Sequence, residues 1–97
     1  MDLSIVLPVY NERENLPILH EKLKKVLSGL NRSYEVIMVD DGSKDGSVEV
    51  LEELAKKDPD LKVIQFRRNF GQTPAMSAGI DYSSGEIIVL MDSDLQN

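Results

Sequence analysis

There is no cysteine among the 97 residues, so neither a disulfide framework nor a thiolate metal site is available, as suits a reducing compartment. Positive charge is scarce: 11 lysines and arginines stand against 17 aspartates and glutamates, a net charge of −6. That balance argues against nucleic acid as the partner, because a backbone binder needs a basic surface. No apolar run is long enough to span a bilayer. The opening Met1-Asp2-Leu3-Ser4 is acidic where a secretory leader would be basic. Internal repeats, linkers and low-complexity stretches are also lacking. What remains, 41% apolar and 29% charged residues, is the composition of one globular domain with a modest core.

The hydrophobic pattern alternates between two periods. Leu3–Val9 is an apolar run rich in β-branched residues, of a length suited to a strand buried on both faces. Leu16, Leu19, Leu23, Val26, Leu27 and Leu30 then fall three or four apart, the spacing of one helix face, with Pro17 early enough for a first turn and Ser28-Gly29 and Asn31 at the exit. Glu35–Val39 reads as a second strand. Asp45 or Ser43 is placed to cap a second helix, which buries Val48, Leu51, Leu54 and Ala55 and ends at Asp58-Pro59. Leu61–Phe66 is a third strand and Arg67–Gln72 a loop. Thr73-Pro74 reads as the cap and first residue of a third helix, and Glu86–Met91 is a fourth strand running into Asp92. The alternation predicts an α/β domain over residues 1–97: a Rossmann-like, three-layer α/β/α arrangement on a parallel sheet of order 3-2-1-4.

In open sheets of this kind ligands bind beyond the carboxyl ends of the strands, and the polar residues collect there. Tyr10, Asn11 and Glu12 follow strand one, Asp40 and Asp41 strand two, Arg67, Arg68 and Asn69 strand three, Asp92 and Asp94 strand four. So many carboxylates on one rim must take up protons or share a cation, and a hard divalent ion held by oxygen is the natural answer. Asp92 and Asp94 flank Ser93, so an extended segment puts both carboxylates on one side, with Gln96 two residues further along it. They hold one ion together, or one holds the ion and the other a ribose.

Each of these segments also has a plainer reading. Asp40-Asp41-Gly42-Ser43 makes a turn and a cap, but a turn does not explain two successive aspartates, one of which must face the rim. Tyr10 could be core, although a ring at the rim also stacks on a nucleobase. Glu12 could be only a first-turn acid. Arg67–Gln72 is either a solvated loop or the counter-charge for a diphosphate. The small residues Ala75, Ser77, Ala78 and Gly79 let the third helix approach either the sheet or a ligand. His20, on the helix surface, reads as structural, and the lysine clusters at 22–25 and 56–57 read as solvated faces.

Four stretches in this order resemble the family 2 glycosyltransferases: Ser4-Ile5-Val6-Leu7-Pro8-Val9-Tyr10-Asn11-Glu12, Val39-Asp40-Asp41-Gly42-Ser43, Arg68-Asn69-Phe70-Gly71 and Asp92-Ser93-Asp94-Leu95-Gln96. The third and last of them look most like the polyprenyl-phosphate branch, the dolichol-phosphate mannose synthases and bacterial undecaprenyl-phosphate glycosyltransferases. The resemblance implies the N-terminal half of a GT-A fold, a UDP- or GDP-linked sugar donor, Mg²⁺ or Mn²⁺ on the diphosphate, and a lipid-phosphate acceptor at the cytosolic membrane surface. By position it places Pro8, Tyr10, Glu12, Val39 and Asp41, with Asp40 as the alternative, in the nucleoside pocket. Asp92, Ser93 and Asp94 would meet ribose and metal, with Gln96 as a further ligand; Arg68, from the loop read above as counter-charge, joins the nucleotide-sugar-binding candidates.

In such enzymes the acceptor site and the residues completing catalysis come later in the chain. A donor-binding part without a complete catalytic set, acting in the cytoplasm, is therefore expected, with self-association through an open sheet edge. Two other classes share an acidic rim, nucleotidyltransferases and Mg²⁺-binding receiver domains. In receivers the acid pair follows strand one, however, and here it follows strand two. A dinucleotide fold or a P-loop is excluded, because Tyr10-Asn11-Glu12 has no glycine.

Overall fold

The computed structural model describes residues 1–92. Seven elements alternate along the chain: β1 (Leu3–Val9), α1 (Leu16–Ser28), β2 (Tyr34–Asp40), α2 (Ser47–Lys57), β3 (Leu61–Gln65), α3 (Gln72–Tyr82) and β4 (Ile87–Leu90). All strand pairs are parallel, and the sheet order is β3-β2-β1-β4. The expected α/β topology is therefore the observed one. β1 lies in the middle and is buried from Ser4 to Val9, as its unbroken apolar run requires.

The sheet separates two apolar layers. Ile5, Leu7, Val9, Val36 and Met38 point to one face, where α1 and α2 cover them with Leu16, Leu19, Leu23, Leu27 and Leu51. Val6, Ile37 and Val39 point to the other, against Ala75 of α3. Each α1 leucine withdrawn from water contributes about 1.5–3 kcal/mol. Two residues of the predicted α1 stripe are not part of it: Val26 and Leu30 are 64% and 50% exposed. Val26 lies at the margin of the leucine stripe, and Leu30 follows the helix end at Ser28.

Of the small residues of α3, Ala75, Ala78 and Gly79 face the sheet, whereas Ser77 is exposed. A Cβ on Gly79 would stand 2.3 Å from Val6 Cγ1, so glycine is what lets the helix axis approach β1. α3 also begins earlier than Thr73-Pro74 suggests. Gly71 is its N-cap and Gln72 its first residue, because tertiary hydrogen bonds described below take up the amides of Phe70 and Gly71.

Pro8 sits inside the central strand without breaking the ladder. Val9 O accepts from Asp41 N of the β2 side and Val6 O accepts from Met91 N of the β4 side, so even-numbered residues of β1 face β4. The β1–β4 pairing stops at Val6↔Leu90, and the missing amide hydrogen of Pro8 falls beyond it.

At the amino ends of the strands Glu35 is buried on β2. One of its oxygens, Oε2, accepts from Ser4 Oγ of β1 at 2.6 Å and from Ser84 N and Oγ at 2.7 and 3.0 Å. Gly85 N in turn donates to Ser4 Oγ at 2.8 Å. This group ties the approach to β4 onto β1 and β2.

Lys24, expected on a solvated face, is instead partnered. It donates to Tyr34 Oη at 2.7 Å and to Asp58 and Asp60 at 3.1 Å each. His20 meets the buried Asp58 at 2.7 Å. Together they fasten α1 to the α2–β3 turn.

Candidate functional site

The loops at the carboxyl ends of the strands are stitched to one another. Asn11 turns the chain out of β1 with a positive φ of 52°, a region asparagine tolerates better than most residues. Its amide donates to Ser43 Oγ and its Oδ1 accepts from Lys44 N, both at 2.9 Å. Glu12 N donates to Ser47 Oγ at 3.1 Å and Arg13 N to Asp45 Oδ2 at 3.2 Å. Asp45 also accepts from the amide and hydroxyl of Ser47 at 3.0 and 2.6 Å. It thereby serves the start of α2 from one residue before the N-cap, which is Gly46. Burial alone would raise its pKa, but the Ser47 hydroxyl and the amides of Arg13 and Ser47 outweigh it and hold the carboxyl below the ordinary aspartate value.

The two aspartates after β2 diverge. Asp40 points with Met38 and Val36 toward the α1–α2 layer and is fully buried. Its Oδ2 accepts from Ser43 N at 3.0 Å, while Oδ1 has no hydrogen-bond partner among the described residues. Asp41 points the opposite way, toward the segment entering α3, and is 3% exposed. Its Oδ1 accepts from Phe70 N at 2.7 Å. Its Oδ2 accepts from Gly71 N and Asn69 Nδ2, both at 2.9 Å. Next to it the Gly42 backbone lies against the Arg68–Asn69 peptide, where a Cβ would stand 2.3 Å from the Arg68 carbonyl carbon.

These loops enclose a cleft of about 250 Å³ lined by Pro8, Val9, Tyr10, Glu12, Asp41, Asn69, Gly71, Gln72 and Asp92. Five of the residues singled out from sequence thus come together: Pro8, Tyr10, Glu12, Asp41 and Asp92. The Tyr10 ring is exposed, so it is not core, and Glu12 Oε2 is oriented by Asn15 Nδ2 at 2.8 Å.

Three others do not line the cleft. Val39 is packed under α3, Asp40 is buried on the far face of the sheet, and Arg68 stacks its exposed guanidinium over the Phe70 ring at 4.8 Å. Ser93, Asp94 and Gln96 lie outside the described residues. Asn69, expected at the rim after strand three, does line the cleft, as do Gly71 and Gln72 of the same loop, to which no individual role was assigned. The signal for the contacts of Asn69 and Gly71 was available: a buried Asp41 needs donors, and the next polar loop supplies them.

The cleft's charged lining among the described residues is Glu12, Asp41 and Asp92, with no lysine or arginine. Such a lining repels a phosphate unless a cation intervenes, and its donors are oxygens, the set a hard divalent ion takes. Among the described residues no three acidic, histidine or cysteine side chains are grouped as a metal site. Asp92 is the described member of the expected ligand set.

The family model "Glycosyl transferase family 2" matches residues 4–97. The chain belongs to glycosyl transferase family 2. The nucleotidyltransferase and receiver-type alternatives are not favoured. Among relatives, this family 2 chain is 47% identical over 94 residues to the uncharacterized glycosyltransferase YkcC of Bacillus subtilis (strain 168). It is 46% identical over 97 residues to an undecaprenyl-phosphate 4-deoxy-4-formamido-L-arabinose transferase of Yersinia pestis (strain Pestoides F). It covers 97% and 98% of its own length in these two matches and spans 29% of each relative.

Two solved structures share the fold at 28% identity. One is the mannosyltransferase PcManGT from Pyrobaculum calidifontis in complex with GDP-Man and Mn²⁺, with a TM-score of 0.77 over 95% of this chain and 27% of that one. The other is S. aureus TarS in complex with UDP-GlcNAc, with a TM-score of 0.82 over 97% of this chain and 27% of that one. The α/β architecture is that of GT-A glycosyltransferases.

Proposed function

We propose that this chain forms the nucleotide-sugar-binding part of a glycosyltransferase that uses Mg²⁺ or Mn²⁺ and passes its sugar to a polyprenyl phosphate at the cytosolic face of a membrane. The observation that carries the reading is the convergence of Tyr10, Glu12, Asp41 and Asp92, from three separate strand ends, on one cleft. Tyr10 offers an exposed ring for a nucleobase to stack on. Pro8, Glu12 and Asp41 border the nucleoside. Asp92 and the following Ser93 and Asp94 serve the ribose and the cation, with Gln96 as a further ligand, and Arg68 supplies positive charge from the adjoining loop.

The neighbours' ligands, GDP-Man with Mn²⁺ and UDP-GlcNAc, support a nucleoside-diphosphate sugar as donor. The Yersinia pestis relative's name supports a polyprenyl-phosphate acceptor. In the transfer, the bond from the anomeric carbon to the diphosphate oxygen breaks and a bond to an acceptor phosphate oxygen forms. The nucleoside diphosphate leaves with the bonding electrons. A bound divalent cation neutralises charge on that leaving group. The residues of this chain would orient the donor, with Asp92 and Asp94 holding the cation.

Calorimetric titration of UDP-sugars and GDP-sugars, with and without Mn²⁺, tests the assignment. Binding of one of the two series that needs the metal, and that weakens at least tenfold, about 1.4 kcal/mol, in Asp92→Ala or Asp94→Ala, is expected. Metal-independent binding, or binding unaffected by both substitutions, would overturn it.

A further inference from the structure

Beyond the end of β1, three successive backbone amides are each taken up by a side chain from the segment between β2 and α2 or from the first residue of α2. Asn11 N donates to Ser43 Oγ at 2.9 Å, Glu12 N to Ser47 Oγ at 3.1 Å and Arg13 N to Asp45 Oδ2 at 3.2 Å. Asn11 returns the contact, its Oδ1 accepting from Lys44 N at 2.9 Å. The acceptors stand on fixed ground. Ser43 N is held by Oδ2 of the fully buried Asp40 at 3.0 Å, and Ser47 is itself fully buried at the start of α2. Strand alignment does not depend on these bonds. The β1–β2 pairing closes at Val9↔Asp40, with Asp41 N donating to Val9 O at 2.8 Å, and the clamp lies past that point.

What the clamp fixes is the path of residues 10–13. Tyr10 and Glu12 line the cleft, whereas Asn11 and Arg13, their neighbours in the chain, do not. The Tyr10 ring is 46% exposed, so packing holds it only in part and the adjoining backbone decides where it stands. Asn11 turns that backbone into the left-handed region, at a φ of 52°. A residue with a side chain stays there only when its surroundings hold it.

We propose that Asn11 and Ser43 are positioning residues for donor binding: neither lines the cleft, and together they set the Tyr10 ring where a nucleobase stacks on it. The inference rests on the nucleotide-sugar reading above and deepens it. A ring held in place before the ligand arrives has little conformational freedom left to lose, and affinity gains accordingly. Released from the clamp, the same ring must be ordered by the ligand. Affinity then falls although no group that touches the ligand has been removed.

Three variants of the purified 97-residue chain test this. Asn11→Gly leaves the left-handed turn accessible but removes the Oδ1 acceptor. Asn11→Asp keeps both the turn and an acceptor. Ser43→Ala removes the hydroxyl that holds Asn11 N. Amide hydrogen exchange by NMR reads the clamp: it is expected to quicken about tenfold or more at Lys44 in Asn11→Gly and at Asn11 in Ser43→Ala. Titrations of UDP and GDP in Mn²⁺ read the consequence. Asn11→Gly and Ser43→Ala are expected to weaken binding about threefold or more, the scale of one lost hydrogen bond, and Asn11→Asp to restore it. In a Tyr10→Leu background, which has no ring to position, the same two substitutions are expected to cause no further loss. A merely structural weakening would carry over to that background undiminished.

Wild-type affinity in both Asn11→Gly and Ser43→Ala overturns the proposal, as does an equal loss in the Tyr10→Leu background or a failure of Asn11→Asp to recover binding. If the wild-type chain binds neither nucleotide, the donor-binding reading itself fails and this inference with it. If the wild-type chain binds and the clamp variants match it, the reading stands and the inference alone falls. Asn11→Gly, at an exposed position, carries the test should Ser43→Ala not fold.

Discussion

Glu35 shows how one residue ties stability to pH. Burial by itself raises a carboxyl pKa, but the hydroxyl of Ser4 and the amide and hydroxyl of Ser84 outweigh it, and with Lys62 they hold Glu35 below the ordinary glutamate value. Asp58 behaves alike: burial is opposed by His20, the Asp60 amide and Lys24, and its pKa too is lowered. Groups with depressed folded pKa values stabilise the protein above their unfolded values, near 4, and that contribution disappears as the pH falls through the folded values. Lys24 runs the other way. Burial disfavours its charge, yet Tyr34, Asp58 and Asp60 raise its pKa overall. Its contribution is therefore complete below the unfolded lysine value, near 10.4, and is lost only above it. The thermal midpoint is accordingly expected to be level around neutrality and to drop below about pH 4. Glu35→Gln is expected to lower stability at pH 7 by about 1–3 kcal/mol, the scale of hydrogen bonds to a charged group, and to flatten the acid limb. A variant as stable as wild type in urea melts at pH 7 would show that the serine contacts contribute nothing net.

Among the elements, α3 is the most sensitive to a small change. Gly79→Ala pushes a methyl group against Val6 and is expected to destabilise by about 1–3 kcal/mol, the usual cost of overpacking. Combining it with Val6→Ala should recover part of that loss, a coupling that a double-mutant cycle of melting curves reports. Such a contact was only half legible beforehand. Ala75, Ala78 and Gly79 announced a close approach, but nothing in their spacing distinguished a strand from a ligand as the thing approached. The start of α3 was hidden for a related reason. Thr73-Pro74 carries a strong local cap signal, yet the amides of Phe70 and Gly71 are bonded by Asp41, 29 and 30 positions earlier in the chain, and local propensity is blind to that. Where the determinants are local, as in the leucines of α1 or the β-branched run of β1, element and burial follow the sequence closely. The divergence of Asp40 and Asp41 follows from strand alternation, which assigns them to opposite faces. What alternation leaves open is which face carries the cleft.

At the level of the whole molecule the sheet is unevenly covered. Ile87, Ile88, Val89 and Leu90 of β4 are all at least 38% exposed, whereas β1 beside them is sealed, and β4 is a terminal strand in the sheet. An apolar edge of this kind invites pairing. The isolated chain is expected to self-associate in equilibrium sedimentation, and Ile88→Lys to shift it toward monomer. A clean monomer at all concentrations would contradict this. The serine–glutamate group binding β1, β2 and the entry to β4 sits at the opposite end of the sheet from the cleft. Strand alignment is thus settled at the floor of the protein, far from where ligands arrive. One consequence concerns diversification. The rim can be rewritten, for example by transplanting residues 67–71 together with their partner Asp41-Gly42 from a relative with another donor, without disturbing how the strands line up.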